Sequence, residues 1–173
     1  VYRLSRRQRQ ACACVAGRVL IEGPSPRHHL RRKGTGMSAI FMPLLLGTVL
    51  TASTLLVMRF VGMHAERGAH SAALIAIALF YVVFAVEHGG PREIAFQGVL
   101  ALLFVGLALF GFRTSLWWVV AGLVLHGVYD IAFHGHAANP APEWWGPFCL
   151  AVDLILALAL AVWIRRGQTP AER

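Results

Sequence analysis

Charge is scarce in this sequence: only 14% of its residues are Asp, Glu, Lys or Arg, whereas soluble domains carry about 25%. A water-soluble chain of 173 residues would bury one core and coat the rest with charge, and this one lacks the residues to do so. With 57% hydrophobic residues and a mean hydropathy of +0.62, lipid is the solvent implied for much of it. Cysteine is equally sparse. Cys12 and Cys14 have one residue between them, which is not zinc-ligand spacing, and Cys149 is alone in the apolar part, so a dense disulfide framework is excluded. There is no Gly-rich phosphate loop, which removes nucleotide and flavin binding of the usual kind. No tandem repeat is evident, which removes support for an inverted-repeat transporter.

The formal net charge of +8 would suggest a nucleic-acid or anionic-membrane partner if it were evenly spread. It is not. Arg3, Arg6, Arg7, Arg9, Arg18, Arg27, Arg31, Arg32 and Lys33 all precede residue 37, and from Met37 onward basic and acidic residues balance, so no nucleic-acid partner is expected. Segment 1–36 is basic and aperiodic, and its apolar stretch 11–17 is too short for a signal peptide. It reads as a disordered arm, a targeting segment, or an extension upstream of the translated start. The last is favoured, because the chain opens on Val1 and Met37 directly precedes the first long apolar run.

What the sequence does have is five apolar runs of about the length a bilayer requires: 39–61, 71–86, 94–112, 115–133 and 148–164. Their short connections force successive helices antiparallel. The expected fold is therefore all-α: a polytopic up-down membrane bundle of about five transmembrane helices. Arg59, Arg67, Arg113, Arg165 and Arg166 gather at one end, against Arg92 alone at the other. Under the positive-inside rule this places the C-terminus in the cytoplasm of a multi-pass cell-membrane protein. A translated basic segment on the outer side would break that rule, a third reason to doubt it. Trp117, Trp118, Trp144, Trp145 and Trp163 suit interfacial belts.

Ionisable residues inside a membrane usually face a partner or a cavity. Here they gather at helix ends on the outer side: Glu87 and His88; Arg92, Glu93 and Gln97; His126, Asp130, His134 and His136; and Asp153. His126, Asp130 and His134 repeat every four residues, so they share a stripe about 80° wide on one helix. The cytoplasmic half is expected to hold almost nothing comparable. Imidazole and carboxylate together suit a divalent metal such as Zn, Fe or Mn, making His126, Asp130, His134 and Asp153 candidate ligands and Glu93 a candidate general acid or base. The bland alternative is a buried hydrogen-bond network that ties helices together. Cys149, one turn before Asp153, reads as a small packing residue.

These residues also carry a resemblance. Glu93-Ile94-Ala95-Phe96, Gly111-Phe112-Arg113, His126-Gly127-Val128-Tyr129-Asp130 with His134, and Cys149-x3-Asp153 resemble the pattern of a family of small uncharacterised bacterial integral membrane proteins, a domain of unknown function. The resemblance covers residues 93–163 and implies that Glu93, His126, Asp130, His134 and Asp153 belong together. Two departures stand out: Phe133-His134 followed by His136 replaces paired histidines, and Tyr129 stands where Trp is common. The family brings no activity with it. Three roles stay open: a metal-dependent enzyme acting on a lipid or other hydrophobic molecule, a transport or proton-relay protein for which an oligomer is possible, and a small membrane subunit or sensor whose outer pocket binds a ligand or partner.

Overall fold

A computed structural model describes residues 38–136 and 139–169, which fall within one unit, Thr35–Arg173. The basic segment 1–36 and the expectations attached to it lie outside the described residues. Five helices follow one another: α1 (Ser38–Val61), α2 (Arg67–His88), α3 (Pro91–Arg113), α4 (Trp117–Ala132) and α5 (Trp145–Arg165). A single 3-10 turn, Met63–Ala65, lies between α1 and α2, and there is no strand among the described residues. The fold is the expected all-α bundle. α1, α2, α3 and α5 are long and apolar enough to cross a membrane, while α4 is a shorter apolar helix of 16 residues, about 24 Å of rise.

The helix ends differ from the expected spans for identifiable reasons. α2 begins four residues early because Arg67 has work at that end: its Nε donates to the Phe112 carbonyl at 3.1 Å, and its Nη2 to the carbonyls of Gly111 (3.2 Å) and Thr114 (3.0 Å). A guanidinium thereby satisfies carbonyls that the end of α3 leaves unpaired, at the end where the helix dipole favours a cation. α5 begins at Trp145 rather than after Pro147, since proline is tolerated in a first turn where its missing N–H is not needed. Pro91 opens α3 for the same reason.

α1 packs chiefly on α5, α5 on α4, α4 on α3, and α3 on α2. α2 also packs on α4, and contacts of Phe80 and Phe84 with Trp145 bring it to the start of α5. α1 approaches α5 along a stripe of buried Pro43, Gly47 and Thr51. A Cβ on Gly47 would lie 2.5 Å from the Phe148 carbonyl oxygen, so only glycine allows this spacing. The remaining faces of α1 expose Phe41, Leu45, Val57 and Phe60, suited to lipid rather than water. Its hydroxyls are satisfied internally: Thr48, Thr51, Ser53 and Thr54 each donate to the carbonyl four residues back, at 2.7–2.9 Å.

The apolar core sits toward the arginine-rich end, built from Leu74 and Ala78 of α2, Phe104 and Ala108 of α3, Val119 and Leu123 of α4, and Leu156 and Leu160 of α5. Each α2, α4 and α5 contributor lies on the arginine-rich side of Tyr81, His126 and Asp153 respectively. A dry layer therefore underlies the polar residues.

Candidate functional site

Two aspartates and one histidine meet where α4 and α5 cross at mid-depth, all three essentially inaccessible (His126 1%, Asp130 0%, Asp153 0% exposed). His126 and Asp130 share a face of α4 one turn apart, and Asp153 comes from the third turn of α5, about 12 Å of rise from Trp145. Gly127 lies at this crossing. A Cβ there would meet the Leu150 side chain at 3.3 Å and Asp153 Cβ at 3.5 Å.

With Asp153 ionised, Nδ1–H of His126 donates to Asp153 Oδ2 at 2.8 Å. The same nitrogen stands 3.5 Å from Asp130 Oδ2, within ion-pair reach but without a hydrogen bond. On its other side Asp130 is held by Tyr81 of α2, whose hydroxyl donates to Oδ1 at 2.7 Å. Asp130 Oδ2 and Asp153 Oδ1 are buried without any hydrogen-bond partner. One ligand atom from each of the three residues can be chosen so that all lie within 4.8 Å of one another, a separation that allows them to share one metal ion.

The rings of Phe104, Tyr81 and Tyr129 pack around the His126 imidazole, with centroids 4.9, 5.8 and 6.0 Å away. Beside this group the Tyr129 hydroxyl donates to Gln97 Oε1 at 2.9 Å, and Gln97 is buried as well. These residues form a polar island walled by aromatic rings.

Of the five residues singled out in the sequence, the structure gathers His126, Asp130 and Asp153. His134 is exposed and packs over Gly146 at the start of α5, outside that group. Its displacement follows from α4 ending at Ala132: beyond the helix, the four-residue stripe no longer holds. Glu93 is half-buried at the first turn of α3, where its Oε2 accepts the Gly90 backbone N–H at 2.9 Å and caps the helix. Comparison with models of known protein families, with curated proteins and with solved structures finds no match for this chain.

Two findings went beyond the sequence reading. Tyr81 is the missed member of the site. Its signal was present: it lies on the stripe of Leu74, Ala78 and Ala85 that α2 turns inward, and it carries the one hydroxyl on that stripe's deeper half. The arginine-rich half, expected to hold almost nothing comparable to the outer cluster, does bury two polar residues. His70 and Ser71 are both buried there; His70 Nε2 is 3.0 Å from the His64 carbonyl, and the rings of His64 and His70 both pack on Trp163. Antiparallel packing brings the start of α2 beside the end of α5, which the separate spans did not reveal.

Proposed function

We propose that this membrane protein is a metal-dependent enzyme acting on a lipid or another hydrophobic molecule, with His126, Asp130 and Asp153 as ligands of a divalent ion such as Zn, Fe or Mn. Charge balance is the observation that carries this reading. Two carboxylates lie fully buried, and among the described residues no lysine or arginine lies in the interior beside them. An uncompensated charge in such a place costs several kcal/mol. A divalent ion with two carboxylates and a neutral imidazole has no net charge, and it gives the orphaned Asp130 Oδ2 and Asp153 Oδ1 a partner.

Three protein ligands leave further coordination positions open, as in catalytic rather than structural sites, and a metal there supplies Lewis-acid polarisation or an activated water. Tyr81 orients Asp130, and the aromatic wall limits water. The dry layer below leaves the polar island nearer the Gly90–Trp145 end. By the positive-inside rule the arginine-rich end is cytoplasmic, so the site belongs to the outer half of the membrane. The resemblance over residues 93–163 implies the same grouping of these three residues; Glu93 and His134, which it adds, stand outside the cluster.

One observation favours a second reading. The 2.8 Å bond between His126 and Asp153 is complete without a metal, and two protons shared among the three groups would also cancel their charge, as a proton-holding or structural network requires. Elemental analysis of detergent-purified protein grown metal-replete decides between them. About one equivalent of a divalent metal in the wild type, lost in His126→Ala and Asp153→Asn, supports the enzyme reading. A folded wild type free of metal overturns it, and proton flux in liposomes abolished by Asp153→Asn would then support the relay.

A further inference from the structure

Two recesses lie one below the other along the seam between α3 and α4. The upper, about 290 Å³, is lined by Arg92, Glu93, Phe96 and Phe133 at the end of the bundle. The lower, about 450 Å³, is walled by Leu100, Leu103 and Phe104 of α3 and by Leu125, Val128 and Tyr129 of α4, and reaches down to Leu107. No charged side chain lines the lower recess. The tilted rings of Tyr129 and Phe133, 4.7 Å apart, lie between the two.

Three features of this seam match one kind of molecule. Its polarity changes once, from a charged mouth to a hydrocarbon floor. Its length is right: from Arg92 to Leu107 is about 22 Å of helix, and half a bilayer with its headgroups is about 20–22 Å. It offers a cation: Arg92 is exposed and forms no ion pair with any described residue, while Glu93 beside it keeps its charge and holds the Gly90 amide with one oxygen. A guanidinium at headgroup level suits a phosphate.

We propose that the α3/α4 seam binds one phosphate-headed lipid, its phosphate on Arg92 and a hydrocarbon chain along the lower recess. Phe104 and Tyr129 line that recess on one side and touch the His126 ring on the other, so the chain lies one layer of aromatic side chain from the polar island. The lipid is thereby the substrate class of the proposed enzyme. This last assignment rests on the metal-dependent reading, whereas the binding itself does not.

The test is native mass spectrometry of the full chain in detergent, titrated with phosphatidic acid and, in parallel, with diacylglycerol of the same chains. The expected result is one phosphatidic acid per protein, bound at least about tenfold more tightly than diacylglycerol. Arg92→Gln removes that preference. Val128→Trp and Leu103→Trp, at positions 58% and 65% exposed where a large side chain can be accommodated, fill the lower recess and weaken both lipids. Thermal unfolding of each variant confirms that it is folded. Chelator-treated protein binds phosphatidic acid as well as untreated protein does, which separates this result from the metal analysis. Equal binding of the two lipids, or unchanged binding in folded Arg92→Gln and in both tryptophan variants, overturns the proposal.

Discussion

His126 and Asp153 join α4 to α5 through a bond of 2.8 Å between two side chains that water does not reach. Twenty-seven residues separate them in sequence, and the pair fixes the relative height of the two helices. Removing one partner leaves the other buried and unmatched. Asp153→Ala should cost about 3–5 kcal/mol of stability. A double-mutant cycle with His126→Ala, followed by unfolding in mixed micelles, should give a second loss much smaller than the first. Additive losses would show that the two residues do not act together.

Tyr81→Phe removes one hydroxyl and changes nothing else in shape. Asp130 Oδ1 then loses its donor, at an expected cost of about 1–3 kcal/mol. If the three residues hold a metal, its affinity should fall about 10-fold or more, because Tyr81 orients a ligand from outside the coordination shell. The measurement is competitive chelation against the wild type.

Glu93→Ala separates two roles for that residue. As the cap on Gly90, Glu93 should contribute about 1 kcal/mol to stability, and its loss should leave metal content unchanged. A loss of metal in this variant would place Glu93 at the site after all.

Gly47→Leu should separate α1 from α5. Its first side-chain atom would meet a backbone carbonyl at 2.5 Å, which cannot rotate away, and overpacking of this kind costs about 1–3 kcal/mol or more. A cysteine crosslink between the facing sides of α1 and α5 should form less efficiently in the variant.

Arg67→Ala should fray the end of α3 by withdrawing donors from three carbonyls, and hydrogen exchange at residues 110–114 should rise. Arg67→Lys should not restore protection, since a single ammonium cannot reproduce the planar fork.

The helices were legible because lipid demands long apolar runs and short links leave few ways to connect them. The boundaries that moved did so through features the runs do not encode, such as Arg67 reaching the end of α3 and Pro147 sitting within a first turn. The core of the site was legible where spacing alone brings residues together, as for His126 and Asp130. The depth of Asp153 followed from counting residues along its span. His134 failed that logic because the helix stops before it. Tyr81 and the His64–His70–Trp163 cluster depend on which helix lies beside which, and hydropathy does not specify neighbours.

The packing of α1 has a consequence for the order of assembly. A ribosome makes α1 before the other helices, yet its chief partner, α5, emerges last. Until then the Pro43–Gly47–Thr51 stripe lacks the partner it has among the described helices, while α2 and α3, tied together by Arg67, can pair as soon as both are inserted. Truncation anywhere before α5 would therefore leave the first helix without its mate and Asp130 and His126 without Asp153. Quality-control proteases should remove such fragments, whereas chains that carry α5 should persist in the membrane.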